Sequence, residues 1–565
     1  MACLVSFWIL LEKALNPLDK LSDDDLRKIY LARKDDDLEI VIEPDCNIFN
    51  MTLGRHLGPE MRDRRAISIE EEDGRVVDRS FADVDRASTA LAARLRSLGY
   101  GRGDHVGLHC GMRPETAIAH MAVCKIGAVA VTLSQLYGPD TLAHALNDCG
   151  AKVLLTTESA WAPLRAQQKD LFPALRDVLV AGSAGPEEDL AAVVAGPAPD
   201  DFAMELTGAD DPALLMYTSG STGLPKGIVH GHRVLASYHP SINLFFNLSM
   251  EDEDAVYWSP SDWAWVGGLL DLVFPAWMAG RPIVTSEARF RADWAFDFMA
   301  RHKVTHTFLA PSAIRRLAQT ADPRADHDLA LRVICTGGEA LAAEILEWSE
   351  NALGVVCNEF YGLTEVNHLI GNCAALYPRR AGSMGRAYPG HTVLLVDDNG
   401  APVAPGEVGE IATTADAPTR YIGYLNNPDK EAELRLGPLM RTHDLAVRDD
   451  DGYFWYKGRS DDLIKSSGFR IGPAEIEECL IAHPAVAEAA VVGKPDRERG
   501  SIVKAFIRLA ADQAASDALK TQLADHVRTR LAGYKAPREI AFVDSFEMTS
   551  SGKINRKALR LQEGG

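Results

Sequence analysis

The chain has 565 residues, of which 47% are hydrophobic and 25% charged, and 59 Lys and Arg against 80 Asp and Glu give a net charge of −21. At about 150 residues per domain, this length predicts three or four domains' worth of chain and a large core, which excludes a small disulfide-stapled scaffold. The composition excludes a wholly disordered or fibrous chain. The acidic balance argues against general nucleic-acid binding, because the protein would repel phosphates.

The cysteines and the N-terminus favour a reducing compartment. None of the nine cysteines forms a CxxC pair typical of zinc sites, and most lie in apolar segments, so we expect reduced, buried thiols. Residues 2–11 are apolar apart from Ser6, but no positive charge precedes them and no small-residue cleavage site follows, which argues against a signal peptide. The best apolar run, 266–280, is interrupted by Asp271 and Pro275 and is too short to span a membrane. We therefore expect a cytoplasmic protein with no membrane span, whose partners are small molecules.

Strand and helix signals alternate along the first two thirds of the chain. Residues 105–110 are typical of a buried strand, and Pro114 then begins a helix with one apolar face. This alternation predicts an α/β fold with largely parallel sheets. The run 184–199, rich in Ala, Gly, Pro and acidic residues, predicts a surface loop. Further strands are predicted at 152–157, 213–217, 282–284, 307–310, 331–336 and 355–359, and helices at 293–301 and 342–351.

The pattern changes after about residue 385. Short strands at 392–396, 409–413 and 453–456, joined by tight turns, predict a β-rich subdomain. After Asp461 come two further strands and a helix with apolar residues every four positions, which predict a small α+β domain. The expected organisation is an N-terminal extension at 1–50, a large domain of stacked, mainly parallel sheets at 51–460 with its β-rich subdomain at about 385–460, and a small mobile domain at 461–565.

The strongest chemical signal is the segment 217–227, Tyr-Thr-Ser-Gly-Ser-Thr-Gly-Leu-Pro-Lys-Gly, which directly follows an apolar strand. Its glycines allow a tight turn that points backbone N–H groups at an anion, its hydroxyls add donors, and Lys226 adds a positive charge. The segment therefore predicts a phosphate-binding loop, although its spacing is not that of a Walker A motif.

This segment resembles the phosphate loop of the adenylate-forming superfamily, which contains acyl-CoA synthetases, luciferases and the adenylation domains of peptide synthetases. The resemblance extends in the family's order over residues 217–553 and is nearest to the medium-chain and acetyl-CoA synthetase-like branch. His443 stands where the family's Thr-Gly-Asp motif has Gly, and a side chain there could shift the loop of Asp444 or touch the nucleotide. The other matching segments are 337–339 (Gly-Gly-Glu), 361–365 (Tyr-Gly-Leu-Thr-Glu), 441–444 (Arg-Thr-His-Asp), 458–477 with the hinge and its following loop, and 550–553 (Ser-Ser-Gly-Lys).

The resemblance implies a two-step reaction. A carboxylate attacks the α-phosphate of ATP to give an acyl-adenylate and pyrophosphate, and a thiol then displaces AMP. Charge builds up on the α-phosphate, so cations and hydrogen-bond donors must surround it. By resemblance, Thr218, Ser219, Gly220, Ser221, Thr222, Gly223 and Lys226 hold the β- and γ-phosphates, Thr364 the α-phosphate, and Glu365 Mg²⁺. Tyr361 stacks on adenine beside Gly337, Gly338 and Glu339, Asp444 and Arg459 bind the ribose, and Lys553 bridges the substrate carboxylate and the α-phosphate.

Coenzyme A is the expected thiol. About a dozen residues follow Lys553, too few for a fused carrier domain, and the loop 466–470 resembles the CoA-ligase version. In that version Gly468, in the same loop as Arg470, would line the pantetheine tunnel after the small domain rotates about Asp461.

The acyl group is predicted from two glycines. Acetyl-CoA synthetases have Trp in place of Gly362 and a larger residue in place of Gly267, so both differences deepen the pocket. Trp263, Trp265 and Val266 would line it, although core packing also explains the tryptophans. These features favour an ATP-dependent acyl-CoA synthetase for a medium-chain or branched fatty acid. The alternatives are an aryl or alicyclic carboxylate–CoA ligase, a stand-alone adenylation enzyme that charges a carrier protein, and a non-catalytic nucleotide-binding protein.

Overall fold

The computed structural model describes residues 22–28, 30–34, 37–218, 225–320, 322–339, 343–460, 462–466, 469–497, 499–511, 513–548 and 554–564. These residues divide into two compact units. Apart from the gaps just given, the first unit comprises 22–218, 225–392 and 414–433, and the second comprises 393–413 and 434–564.

Two large, mainly parallel sheets form the first unit, as the alternating pattern predicts. In spatial order, the eight-stranded sheet consists of Gly423–Tyr424, Lys226–Gly231, Pro212–Thr218, Val129–Thr132, His105–His109, Val153–Thr157, Asp177–Ala181 and Glu188–Asp189. The nine-stranded sheet consists of Arg386–Ala387, Asn367–Gly371, Val356–Leu363, Val333–Gly337, His306–Phe308, Tyr257–Trp258, Ile283–Ser286, Arg65–Glu70 and Val76–Ser80.

Helices lie between these two sheets and on their outer faces. Successive strand residues point to opposite faces, so Leu214 and Met216 join the core between the sheets while Leu215 and Tyr217 join an outer core. Helices that contribute to the core between the sheets are Asp23–Lys28, Ile48–Met51, Phe81–Ser97, Pro114–Lys125, Leu190–Ala195, Arg233–Phe245 and Phe274–Met278, together with a π-helical turn at Leu269–Val273. The other α-helices of this unit are Pro139–Asp148, Glu158–Trp161, Gln168–Leu171, Val266–Gly268, Ala292–Arg301, Pro311–Leu317, Pro323–Asp326 and Ala343–Leu353, while Pro428–Leu434 ends at the unit boundary.

The segment before the predicted large domain shares the core of the first unit. A hairpin of Leu31–Lys34 and Asp37–Ile40 follows the first described helix. Leu26 and Leu31 are fully buried in the core between the sheets. The apolar residues 2–11 lie outside the described residues.

The surface loop predicted at 184–199 is wrong for its central part. Glu188–Asp189 is an edge strand, and Leu190–Ala195 is a helix whose N-terminus is capped by Asp189, which accepts a 3.1 Å hydrogen bond from Ala191 N. Leu190 and Val194, four residues apart, are buried. The Ala- and Gly-rich composition therefore obscured a short amphipathic helix.

The second unit contains two smaller sheets. The first consists of Val393–Val396, Val408–Thr414, Leu439–Arg448 and Arg435–Leu436, with Phe454–Arg459 also paired to Leu439–Arg448. The second consists of Phe469–Ile471, Ile464–Ser466, Gly500–Leu509 and Val486–Asp496, with Glu539–Phe542 paired in parallel to Gly500–Leu509. Helices Pro473–Ile481, Asp517–Arg530 and Arg556–Gln562 accompany the second sheet, so this part is α+β as predicted. Within the described residues of both units, no helix combines the length and apolarity that crossing a membrane requires.

Buried histidines make the fold sensitive to acid. Burial lowers the histidine pKa to about 4 for His109, His230 and His232, and to about 3 for His120, His239, His306 and His391. In the unfolded chain a histidine has a pKa of about 6.5. Below that pH the unfolded chain therefore binds protons that the folded chain does not, and the free energy of unfolding falls as the pH falls.

We expect stability that is fully present at pH 7.5 and falls by several kcal/mol by about pH 5.5, since each such histidine contributes a loss of about 1.4 kcal/mol over this whole window. Urea unfolding across this pH range measures the effect. His120→Leu should lower the slope of the unfolding free energy against pH by the contribution of about one proton. Both ring nitrogens of His120 lack hydrogen bonds within the described chain, so the substitution removes no hydrogen bond. A free energy of unfolding that is flat from pH 7.5 to 5.5 would contradict the prediction.

Candidate active site

An antiparallel hairpin flanks the predicted phosphate-binding loop. Its strands are Pro212–Thr218 and Lys226–Gly231, and their register places Thr218 opposite Lys226. The hairpin is anchored below the loop by Tyr137, whose hydroxyl donates a 3.2 Å hydrogen bond to the carbonyl of Tyr217. The loop residues Ser219, Gly220, Ser221, Thr222 and Gly223 lie outside the described residues.

Thr364 and Glu365 form a turn in the nine-stranded sheet, between strands Val356–Leu363 and Asn367–Gly371. Asn367 closes the turn with a left-handed backbone (φ 56°), a conformation that Asn tolerates better than most residues. Its side-chain amide donates a 2.9 Å hydrogen bond to the carbonyl of Thr419. The backbone N–H of Tyr421 donates to the carbonyl of Glu365 at 2.9 Å, so the turn is held from the segment that enters the other sheet.

Tyr424 brings the Glu365 carboxylate next to the hairpin. Its hydroxyl donates a hydrogen bond to Oε1 of Glu365, and burial together with this carboxylate raises the Tyr424 pKa. Tyr424 is paired with Ile228 in the hairpin strand. The sequence motifs did not point to Tyr424, because no local pattern links a tyrosine to a carboxylate 59 residues away.

Charges around Lys226 extend this cluster. Burial and the nearby Lys430 lower the Lys226 pKa, and Glu433 and Glu365 partly offset this. The buried His230, on the same strand, hydrogen-bonds to the backbone of Thr364. The structure therefore places four of the predicted residues in one neighbourhood: Thr218, Lys226, Thr364 and Glu365.

The donor set near Glu365 fits Mg²⁺ bound chiefly by substrate. Among the described residues, no group of three or more His, Cys, Asp or Glu side chains could hold a metal ion. A single oriented carboxylate suits a hard cation that takes its other ligands from phosphate and water. Glu365 would hold the ion, which supplies positive charge to the phosphates.

The predicted adenine region follows strand Val333–Gly337. A Cβ on Gly337 would lie 2.4 Å from the ring of Phe360, so glycine allows the ring to pack against the strand. Gly338 has a φ of 87°, which favours glycine. The Glu339 carboxylate pairs with Arg315 at 3.1 Å. Tyr361, the predicted adenine-stacking residue, adjoins Phe360 on the neighbouring strand and is 8% exposed.

The predicted acyl segment 262–268 begins at a buried carboxylate. Asp262 accepts hydrogen bonds from Ser134 Oγ at 2.6 Å and from Ala264 N at 3.0 Å, and burial raises its pKa. Trp263 is 2% exposed and packs in the core, whereas Trp265 and Val266 are half-buried. Trp265 meets Tyr137 edge to face at a ring distance of 5.9 Å.

Two glycines of the predicted acyl site approach their neighbours closely. Gly267 faces Phe308, and a Cβ there would lie 2.5 Å from Cε1 of that ring. Gly362 sits at a β-bulge, and a Cβ there would lie 1.9 Å from the carbonyl oxygen of Asn367. Gly267 and Gly362 keep accessible surface, which is consistent with their facing a recess. The bulge is a second reason for glycine at 362. The atom that a Cβ would meet is the backbone carbonyl oxygen of Asn367, which cannot move aside as a side chain can.

In the second unit, the predicted ribose ligands lie opposite each other. Asp444 and Arg459 are register partners on neighbouring strands, with 3.7 Å between Oδ1 and the guanidinium. Tyr456 donates a 3.1 Å hydrogen bond to Oδ1 of Asp444, and the Asp444 N–H donates to Thr442 Oγ1 at 3.1 Å. Burial, with Asp444 alongside, raises the Tyr456 pKa. This buried carboxylate is oriented by Tyr456, which lies outside the sequence motifs.

The backbone explains why glycine suits position 443. His443 has a φ of 62°, which disfavours residues with a side chain. Glu410 stabilises this conformation: its Oε1 accepts a 2.7 Å hydrogen bond from His443 N and lies 3.7 Å from Nδ1. Arg441 donates to the same carboxylate at 2.9 Å.

Several predicted residues cannot be placed. Lys553, Asp461 and Gly468 lie outside the described residues, and for Arg470 only the backbone is described, in strand Phe469–Ile471. Their roles stay predictions.

Comparison with known proteins gives matches along most of the chain. Residues 59–423 match the family model described as AMP-binding enzyme, and residues 475–553 match the AMP-binding enzyme C-terminal domain. The chain is 34% identical over 496 residues to the acetyl-coenzyme A synthetase of Bacillus subtilis (strain 168), covering 86% of this chain and 85% of that protein. It is 35% identical over 503 residues to the mitochondrial acyl-coenzyme A synthetase ACSM4 of Mus musculus, covering 86% and 84%. The crystal structure of the anthranilate CoA ligase AuaEII in complex with anthranoyl-AMP matches with a TM-score of 0.82 at 29% identity, covering 93% of this chain and 98% of that one.

The left-handed backbone at position 443 can be tested by paired substitutions. His443→Gly and His443→Ala both remove the side chain that faces Glu410, but only the alanine variant keeps a Cβ in this conformation. We expect His443→Gly to be more stable than His443→Ala by about 1 kcal/mol in urea unfolding. Ala446→Gly, in the same strand at a position without a positive φ, is the matched control and should be destabilising. Equal stability of the two variants at position 443 would refute the strain argument.

Proposed function

Because the chain belongs to the AMP-binding enzyme family and is an AMP-forming CoA ligase, we propose that its acid substrate is larger than acetate, first of all a medium-chain or branched fatty acid. The predicted family, α/β fold class and enzyme class are confirmed. The enzyme uses ATP, Mg²⁺ and CoA, as the sequence predicts.

One observation carries the proposal for the acid: the absence of side chains at Gly267 and Gly362. Each glycine retains accessible surface, and the Phe308 ring lies beside Gly267. A recess of this kind accommodates an apolar acyl body, whose burial contributes about 25 cal/mol per Å².

The chain's residues then have the following proposed roles. Lys226 and the hydroxyl of Thr218 bind the departing phosphates, and Thr364 donates to the α-phosphate. An oxygen of the substrate carboxylate attacks the α-phosphorus as the bond to pyrophosphate breaks, and Lys553 stabilises the charge on both reacting groups. The CoA thiol, after losing its proton, attacks the acyl carbon, and AMP leaves.

A ring-bearing acid is the second candidate. Phe308 lies against Gly267 and Phe360 against Gly337, so flat aromatic surfaces line this region, and rings pack well against such surfaces. The fold neighbour that holds anthranoyl-AMP is named a ligase of an aromatic acid. Charging of a separate carrier protein instead of CoA is the remaining alternative.

Pyrophosphate release tests the proposal directly. The panel runs from acetate to dodecanoate, with benzoate and cyclohexanecarboxylate, each with and without CoA. We expect CoA-dependent turnover that peaks at about six to ten carbons, since each buried methylene contributes about 0.8 kcal/mol. A peak at acetate would contradict the open recess, a peak at a ring acid would select the second candidate, and adenylate that CoA does not discharge would point to a carrier protein.

The substitution Gly267→Ala tests whether Gly267 lies in the acyl site. The added Cβ must push the Phe308 ring aside, which we expect to lower kcat/KM for hexanoate and octanoate at least tenfold relative to propionate. Adding Phe308→Leu should restore the original ratio, because the smaller side chain makes room. An unchanged ratio in Gly267→Ala would remove Gly267 from the acyl site.

A further inference from the structure

Three fully buried polar side chains lie beside the predicted acyl site: Tyr238, Asp271 and His368, here called the buried triad. Each is at most 1% exposed. The Tyr238 hydroxyl donates a hydrogen bond to Oδ1 of Asp271, and the same oxygen lies 3.2 Å from Nε2 of His368. The proposed roles in adenylation and thioester formation use none of the three.

The hairpin places His368 on the acyl side of the nine-stranded sheet. His368 is the register partner of Gly362, so the His368 side chain lies on the face to which a side chain at 362 would point. Phe360, two residues before Gly362, shares this face, and its ring centroid lies 3.7 Å from that of His368. Phe360 in turn contacts Phe308, the ring beside Gly267, at 6.4 Å. The imidazole is therefore next to the aromatic lining of the predicted acyl site.

Asp271 reaches His368 from the segment that carries Gly267. It lies in the π-helical turn Leu269–Val273, which directly follows Gly267 and Gly268. Such turns are rare in proteins and occur frequently at functional sites. The same short segment thus supplies both a wall of the predicted acyl site and the carboxylate that orients His368.

The protonation of His368 follows from its neighbours. Burial lowers the His368 pKa, and Asp271 only partly offsets this, so the imidazole is neutral at neutral pH. Because Nε2 faces the carboxylate, we assign the ring proton to Nε2, which leaves Nδ1 as an acceptor. Neither ring nitrogen makes a hydrogen bond in the part of the chain that the structure describes, so Nε2 has only its 3.2 Å contact with Asp271 and Nδ1 has no partner. Phe245 and Phe360, with ring centroids 5.2 and 3.7 Å from the imidazole, carry no donor, and the hydroxyl of Tyr388, whose ring centroid lies 5.9 Å away, makes no hydrogen bond in the described chain.

A buried acceptor without a partner is unfavourable, and a suitable ligand relieves this. A saturated acyl chain has no hydrogen-bond donor, so its binding would leave Nδ1 unpaired. A hydroxyl or amino group on the acid would donate to it. Sites built to hydrogen-bond a substrate hydroxyl strongly reject the analogue that lacks it.

We propose that His368 determines specificity by accepting a hydrogen bond from a hydroxyl or amino group on the body of the acid, with Asp271 and Tyr238 as positioning residues. The substrate class is then a hydroxy- or amino-substituted carboxylic acid, on either a chain or a ring. This inference rests on the proposed CoA-ligase function and replaces the unsubstituted fatty acid by a hydroxy- or amino-substituted acid as the preferred substrate.

The test compares matched acids with the full-length enzyme. The ring series is benzoate with its 2-, 3- and 4-hydroxy, amino and methyl derivatives, and the chain series is hexanoate, 6-hydroxyhexanoate and heptanoate. We expect wild-type kcat/KM to favour one hydroxy or amino isomer over its methyl counterpart at least tenfold. The series in which the preference occurs distinguishes a ring from a chain. Methyl analogues preferred throughout both series would overturn the proposal.

Variants assign the preference to His368. His368→Leu should reduce the hydroxyl-to-methyl ratio to about one, while His368→Asn keeps an acceptor oxygen near the Nδ1 position and should retain part of the preference. His120→Leu is the matched control, since His120 is also fully buried with no hydrogen bond at either ring nitrogen in the described chain but lies in helix Pro114–Lys125, outside the hairpin. It should leave the ratio unchanged. A ratio that survives His368→Leu in a folded enzyme would overturn the assignment.

The outcomes separate this inference from the proposed function. Turnover of no acid in the presence of CoA would defeat the proposed function. CoA-dependent turnover of plain acids without any preference for a donor group would defeat only the role of His368.

Discussion

The segment 419–425 ties the two large sheets of the first unit together, and the arrangement of the phosphate-side residues depends on it. Along this segment the N–H groups of Ile422 and Leu425 donate to the hairpin strand that begins at Lys226. The N–H of Tyr421 and the hydroxyl of Tyr424 donate to Glu365 on the other sheet. Lys226 and Glu365 lie at the ends of separate sheets, and these bonds, together with the bond from His230 to the backbone of Thr364, hold them near each other. Placing a cation and a carboxylate in one neighbourhood serves a site that must bind phosphates together with a metal ion.

A single hairpin serves both ends of the predicted substrate. Strands Val356–Leu363 and Asn367–Gly371 carry the Thr364–Glu365 turn at their tip and Gly362 opposite His368 just below it. The β-bulge beside Gly362 sets this geometry, because the extra residue brings the Asn367 carbonyl too close for any side chain at 362. Gly362, which belongs to the proposed acyl site, and the turn at Thr364–Glu365 therefore share one backbone irregularity.

The sequence predicts the features that depend on local pattern. Alternating apolar strands and helices predict the parallel sheets, and ordered motifs locate Lys226, Glu365 and Asp444. The side chains that orient these residues were not predictable, because Tyr424 and Glu410 come from strands whose pairing only the fold establishes. His443 is instructive, since the exchange of Gly for His was visible in the motif but its positive φ was not.

Local composition also hid one helix from the sequence prediction. The helix Leu190–Ala195 lies in an Ala- and Gly-rich stretch, where two buried residues give a weak periodic signal. The buried triad could not be predicted from the sequence for a different reason. In the sequence, Asp271 only interrupts an apolar run. Its contacts with Tyr238 and His368 join residues from three elements that are distant in sequence.

Tyr424 orients the carboxylate of Glu365, the proposed Mg²⁺ ligand, and the substitution Tyr424→Phe tests whether this hydrogen bond matters for metal binding. The measurement is the Mg²⁺ concentration for half-maximal pyrophosphate release at saturating ATP and acid. We predict an increase of about tenfold, typical of losing a group that orients a metal ligand. Tyr421→Phe is the control, because the Tyr421 hydroxyl donates to Glu431 at 2.5 Å instead of to Glu365. An unchanged Mg²⁺ requirement in Tyr424→Phe, or an equal change in Tyr421→Phe, would contradict the account.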